Sequence, residues 1–183
     1  MRLKLLFFIL LVLVTACSKE QTFEEFFQEK MKENEKEYSE DVDYSYSLVH
    51  QDQNIVTEDD AIAIFTENNL QGKQIFIAYI KKENGHWAWQ RTRGAEWDAP
   101  QKWSAMDKVP YIYSGAMRDN SITEVYAGRE KATIVDVEGD KRFWYVVSPA
   151  KEVKVRYVRK DGTEEIVDQL DEEMLEEQAR KKK

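Results

Sequence analysis

The feature that most constrains the fold is a regular succession of short runs rich in β-branched and aromatic residues. Turn-forming residues separate these runs, which recur about every ten residues without a long helical interval. This spacing favours an antiparallel over a parallel sheet and predicts a mainly β protein. We expect one domain over residues 42–167, an antiparallel sandwich or barrel-like structure. The predicted strands are 44–49, 61–66, 75–81, 87–92, 111–114, 122–127, 132–137, 142–148, 153–158 and 164–167.

Two of the runs are apolar at every position and predict central strands covered on both faces. They span 75–80 and 143–147, whereas the run at 153–158 alternates apolar and basic residues, as strands with one face in water do. Glycine-containing turns at 84–85, 138–140 and 161–162 predict hairpins.

Two of those hairpins share a pattern, in which a glycine turn leads into an aromatic-rich strand. A duplicated β unit, with halves at 55–104 and 109–167, explains the pattern, and chance explains it equally well. Residues 94–110 fit no strand and predict a long loop. From residue 168 to 183 the chain is a charged tail, in which 171–179 has the pattern of a short helix.

The N-terminus carries a targeting segment. Arg2 and Lys4 precede ten apolar residues, from Leu5 to Val14, which rise only about 15 Å as a helix, half of a bilayer core. The run therefore fits the apolar region of a signal peptide, residues 1–16, better than a membrane span. It ends in Val14-Thr15-Ala16-Cys17, which resembles the lipobox of bacterial lipoproteins.

That resemblance, to small lipoproteins of Gram-positive bacteria, implies a location and one modified residue. The Cys17 thiol would receive a diacylglyceryl group, cleavage would occur before Cys17, and the protein would be lipid-anchored at the extracytoplasmic face of the cell membrane. Cys17 is the single cysteine of the chain, and lipidation gives this unpaired thiol a use. The alternative is an ordinary buried cysteine beside a conventional cleavage site.

The charge of the chain argues against nucleic acid as a partner. The formal net charge is −8, and removal of residues 1–16 takes away Arg2 and Lys4, which leaves 25 basic and 35 acidic residues. A mature chain of net charge −10 is repelled by polyanions.

The segment that follows the cysteine, residues 17–41, has one apolar stripe. Phe23, Phe26, Phe27, Met31 and Tyr38 recur at helical spacing, which predicts a helix that docks on the domain or on a partner. A flexible tether between membrane and domain is the alternative.

No catalytic or cofactor motif is present in the sequence. For nucleophilic catalysis, lipidation would use the one thiol, and the two histidines have no catalytic partner in a recognisable motif. The sequence also has no metal-ligand spacing and no glycine-rich phosphate loop. We therefore expect no enzyme, no metal and no cofactor, although two distant carboxylates of a glycosidase would leave no motif.

One cluster of residues in the sequence is a candidate binding site, and it consists of aromatic and basic side chains. Alternation along 87–92 predicts that Trp87, Trp89 and Arg91 share one face of a strand. Tryptophan faces beside hydrogen-bonding groups can bind sugars or peptides. The alternative, which we favour, is that Trp87 and Trp89 are core residues and that Trp97 and Trp103 cover the end of the barrel. The candidate ligand-binding residues are Trp87, Trp89, Arg91, Arg93, Trp97 and Trp103.

These patterns lead to three hypotheses for the function. The first is a non-catalytic lipoprotein that binds a protein, peptide or glycan at the cell envelope. The second is an accessory subunit of a membrane complex, contacted through Phe23, Phe26 and Phe27. The third is a hydrolase of wall glycan or peptide.

Overall fold

The computed structural model describes residues 20–38, 43–99, 101–170 and 180. The predicted signal peptide, Cys17 and the predicted helix at 171–179 lie outside the described residues. Within them, one helix, α1 (Phe23–Glu35), precedes twelve strands. The strands are β1 (Ser45–Gln53), β2 (Asp60–Asn69), β3 (Gly72–Glu83), β4 (His86–Ala95), β5 (Ser104–Met106), β6 (Tyr111–Met117), β7 (Ile122–Ala127), β8 (Glu130–Lys131), β9 (Thr133–Glu138), β10 (Lys141–Ser148), β11 (Val155–Arg159) and β12 (Glu164–Val167).

All ten predicted strands are present, and the three predicted hairpins connect β3 to β4, β9 to β10 and β11 to β12. The prediction of a continuous loop over residues 94–110 is wrong, because β4 extends to Ala95 and β5 lies within the segment and pairs with β6. A three-residue strand such as β5 is too short to show alternation. The two-residue strand β8 was missed for the same reason.

The strands form three antiparallel sheets in a single small domain. The first sheet has the order β1-β2-β3-β4, the middle sheet β5-β6-β10-β9, and the third sheet β12-β11-β7-β8. The sheets do not close into a barrel. Strands β2 to β4 lie in one sheet, while the strands between 109 and 167 divide between two, so the topology lends no support to the predicted repeat.

The molecule is layered, with α1 outermost and the three sheets stacked beneath it. Strand β2 shows why: Ala61, Ala63 and Phe65 pack with residues of α1, while Ile62 and Ile64 pack with residues of the middle sheet. Successive strand residues point to opposite faces, so an apolar residue at every position supplies two cores. The first sheet is therefore covered on both faces.

The middle sheet is covered in the same way. In β10, Phe143 and Tyr145 pack against the first sheet, and Trp144 and Val146 pack against the third. The two runs predicted to be central are therefore central strands, as their continuous apolar character indicated. In β11, Val155 and Tyr157 are buried and alternate with a partly exposed arginine, which confirms the predicted half-exposed strand.

Helix α1 forms where the apolar stripe predicted it. The Thr22 side chain accepts a hydrogen bond from the Glu25 backbone N–H, and the Glu25 carboxylate accepts one from the Thr22 N–H, a capping box that satisfies two donors at the helix start. Phe23, Phe27 and Met31 are buried against the first sheet. Residues 23–35 are therefore a packed layer of the domain and not a flexible tether.

Candidate functional site

One irregularity in β4 separates the aromatic and basic residues that the sequence grouped together. Tyr79 pairs with Arg91 and Ile80 with Trp89, so Gln90 is an extra residue, a β-bulge. The bulge reverses the alternation, and Arg91 points away from the face that carries Trp89. The prediction that Trp87, Trp89 and Arg91 share one face is therefore wrong for Arg91.

Trp87 and Trp89 lie beneath the helix. The ring of Trp87 meets Phe23 edge-on at a centroid distance of 5.5 Å, and Trp89 stacks on Phe27 at 6.1 Å. The Trp89 indole N–H donates to the Thr92 hydroxyl over 2.7 Å. Both tryptophans thus belong to the core between α1 and the first sheet.

Trp97 and Trp103 belong to two other cores. Trp97 packs at the edge of the core between the first and middle sheets, with the Lys141 ammonium 4.9 Å from its ring centroid. Trp103 packs with the core between the middle and third sheets, and its indole N–H donates to the Val167 carbonyl over 3.0 Å. The four tryptophans are therefore divided among three cores and do not form one surface.

The two arginines hold neighbouring chain segments. The Arg91 guanidinium lies 5.0 Å from the centroid of the Tyr79 ring and donates to the carbonyls of Lys108 and Pro110. Burial lowers the pKa of Arg91 from its ordinary value. Arg93 donates to the Ala105 carbonyl over 3.3 Å. Both side chains link β4 to the segment around β5.

One cleft does retain part of the predicted group. It lies where the ends of β3 and β4 meet β5 and β6, and its volume is about 420 Å³, within the range of small-molecule sites. Trp103 is the member of the predicted group that lines it. The lining residues are Gln74, Phe76, Gly94, Ala95, Glu96, Ala99, Gln101, Trp103, Ser104, Gly115 and Leu170.

The polar side chains that line this cleft are two amides, one carboxylate and one hydroxyl. Gln74 donates to Glu96 over 3.0 Å, and Gln101 donates to the Trp103 carbonyl over 3.3 Å. Ser104 is buried, and its Oγ makes no hydrogen bond within the described part of the chain. A buried hydroxyl normally has a partner. The cleft therefore offers an apolar wall, two amides, the Glu96 carboxylate and one hydroxyl without a partner among the described residues.

A second polar group lies between the first and middle sheets. The Tyr145 hydroxyl donates to Asp52 Oδ2 over 3.0 Å and lies 3.3 Å from His50 Nε2. Burial, together with the charge of Asp52, raises the pKa of Tyr145 to about 12. The phenol therefore keeps its proton at neutral pH and acts as a hydrogen-bond donor.

Sequence reasoning missed Gln74, Ser104 and the Tyr145 group. Gln74 and Ser104 lie far apart in the chain and are ordinary polar residues, so no spacing marks them. The Tyr145 hydroxyl is placed by the packing of one sheet on another, which has no local signature.

Comparisons with protein families, with curated proteins and with solved structures found no match. None of the helices in the described ranges is long and apolar enough to cross a membrane. The same residues bring together no group of three or more His, Cys, Asp or Glu side chains suited to a metal ion.

Proposed function

We propose that the protein is a lipoprotein, anchored through Cys17 at the extracytoplasmic face of the cell membrane, that binds a neutral glycan or peptide without catalysing a reaction. The lipobox supports the proposed lipid anchor, and the cleft beside Trp103 supports the proposed binding.

The Ser104 hydroxyl is the observation that most favours binding. It is buried at the cleft, and no atom of the described residues satisfies it. Leaving such a group unpaired costs about 1–3 kcal/mol, and a ligand hydroxyl or amide that reaches it would remove this cost. Gln74 and Gln101 each both donate and accept hydrogen bonds, which suits the hydroxyl and amide groups of sugars and peptides.

The charge of the lining favours binding over hydrolysis. Among the described residues that line the cleft, Glu96 is the one carboxylate, whereas glycoside hydrolysis of the usual kind uses two. The accessory-subunit hypothesis requires Phe23, Phe26 and Phe27 to be available to a partner. Phe23 and Phe27 are instead buried by the protein's own first sheet, and Phe26 packs against Trp89.

The test is a titration of the chain from residue 18 with two neutral probes, chitotetraose and an uncharged tetrapeptide, followed by ¹⁵N–¹H chemical shifts. We expect saturable shifts at Gln74, Gln101 and Ser104 with one of them. Ala99→Trp should fill the cleft and abolish the shifts. Ala150→Trp places the same side chain on an exposed loop outside the cleft lining and should change nothing.

The substitution Ser104→Ala separates binding from folding. Because the hydroxyl has no internal partner among the described residues, its loss should leave the free energy of unfolding unchanged or slightly higher and weaken the ligand about five-fold, equivalent to about 1 kcal/mol. Absence of saturable shifts with both probes, or shifts that survive Ala99→Trp, would refute the proposed binding site.

A further inference from the structure

The start of helix α1 is fixed at one end of the first sheet. Lys82 Nζ lies 2.5 Å from Glu20 Oε1, and the same ammonium lies 5.0 Å from the centroid of the Trp87 ring. Trp87 in turn contacts Phe23, the first residue of the helix. The described chain therefore begins beside the hairpin between β3 and β4.

The distance from this point to the proposed anchor is short. Three peptide units join Cys17 to Glu20, and an extended residue spans at most about 3.6 Å, so the two lie within about 11 Å of each other. A lipid on Cys17 would hold this end of the first sheet against the bilayer surface. The opposite end of β3, next to Leu70, is about 36 Å away along a strand of twelve residues.

The same end of the domain presents an exposed apolar tip. Val109 is 75 % exposed, and Val56, on the other side of a cavity of about 450 Å³, is 52 % exposed. Lys81 and Lys108 line that cavity and form no ion pair within the described residues. Beside a bilayer, an exposed apolar side chain can enter the headgroup region while neighbouring lysine side chains extend their ammonium groups to the lipid phosphates.

The loops that carry the two valines are held in place. Asp60 is fully buried and accepts hydrogen bonds from the backbone N–H groups of Val56 and Thr57 and from the Tyr79 hydroxyl. Arg91 holds the loop before β6 through two of its carbonyls. The tip is therefore a fixed feature of the fold.

Acidic groups also lie at this end. Glu83 accepts a hydrogen bond from Gln90, and Glu58 and Asp59 are exposed in the loop of Val56. The loop of Val109 has Lys108 on one side and Pro110 on the other, and its one exposed acid is Asp107, compared with two in the loop of Val56. Val109 is thus the valine best suited to enter the headgroup region.

We propose that this end of the domain is a membrane-contact surface, in which Val109 enters the headgroup region of the bilayer and Lys108 and Lys81 contact lipid phosphates. The inference rests on the proposed lipidation of Cys17. It orients the domain, with β3 and β4 running away from the membrane and Leu70 far from it.

The test uses the full chain, purified after lipidation in a bacterial host and reconstituted in vesicles of phosphatidylglycerol and phosphatidylcholine. Val109→Cys and, as the matched control, Leu70→Cys carry a polarity-sensitive fluorophore. Leu70 is 81 % exposed, so neither substitution disturbs a core. We expect blue-shifted emission and several-fold stronger quenching by doxyl lipids at residue 109 than at residue 70.

Labelling stoichiometry distinguishes failure of this inference from failure of the lipid anchor. One dye per chain on the denatured protein, with an N-terminal peptide that still begins at Cys17, shows that the Cys17 thiol is blocked, and equal or reversed quenching at the two sites would then overturn the membrane-contact surface alone. Two dyes per chain would overturn the lipidation on which it rests. A blue shift at residue 109 in native membranes but not in lipid vesicles would assign the surface to a protein partner and overturn the lipid assignment.

Discussion

The docking of α1 makes Phe27 the residue whose truncation tests the layered fold most sharply. Phe27 is fully buried, and its ring centroid lies 5.5 Å from that of Phe65, 6.1 Å from that of Trp89 and 6.4 Å from that of Tyr46. Phe27→Ala removes the ring from the centre of this cluster. The change leaves a cavity that the β-sheet beneath cannot close.

The magnitude follows from the buried ring. An aromatic side chain buries at least about 150 Å², and at about 25 cal/mol per Å² its loss costs about 4 kcal/mol. Large-to-small changes at phenylalanine in cores cost about 3–5 kcal/mol. With a urea m-value of about 2 kcal/mol per M, the unfolding midpoint should fall by about 2 M. Urea unfolding of the chain from residue 18, followed by tryptophan fluorescence, measures this shift.

Phe26→Ala is the matched control, because Phe26 is only half-buried and its one ring contact among the described residues is with Trp89. We expect a cost of about 1 kcal/mol there. Equal losses below about 1 kcal/mol for both variants would refute the reasoning, since they would mean that α1 contributes little to the stability of the domain.

Three further predictions concern the sheets and loops. Gly115→Ala should cost about 2 kcal/mol by thermal unfolding, since a Cβ there would lie 2.5 Å from a backbone carbonyl oxygen; a change below about 0.5 kcal/mol contradicts this. Hydrogen bonds from Ser121 and Arg159 lower the pKa of Asp119 from 3.8 to about 2, so its contribution to stability is complete above pH 4 and disappears as the pH falls toward 2. Asp119→Asn should therefore flatten acid unfolding between those pH values, and an unaltered profile argues against it. Asp60→Ala removes the acceptor of three hydrogen bonds and should cost about 3 kcal/mol in urea, whereas a neutral effect would show that the loop is held otherwise.

The strands were predictable from sequence because their signals are local. β-branched and aromatic residues identified β2, β3 and β10, alternation identified β11, and the continuous apolar character of 75–80 and 143–147 indicated sheets covered on both faces. The division into three stacked sheets was not predictable, because it depends on which distant strands pair: β6 pairs with β10, and β7 with β11.

The candidate site was less predictable than the fold. The bulge at Gln90 reverses the side of Arg91, and a single extra residue leaves no mark in an alternating pattern. The cleft joins Gln74 of β3 to Ser104 of β5, and this proximity follows from sheet packing. Of the predicted aromatic group, Trp103 lines the cleft, while Trp87 and Trp89 belong to the core beneath α1.

The account depends most on Cys17, since both the location and the membrane-contact surface follow from it. The direct measurement is the mass of the N-terminal peptide of the mature protein, isolated from bacterial membranes after expression of the full chain. The account predicts a peptide that begins at Cys17 and carries a diacylglyceryl group on the thiol. A peptide with an unmodified Cys17 thiol, or a chain that still carries residues 1–16, would contradict it.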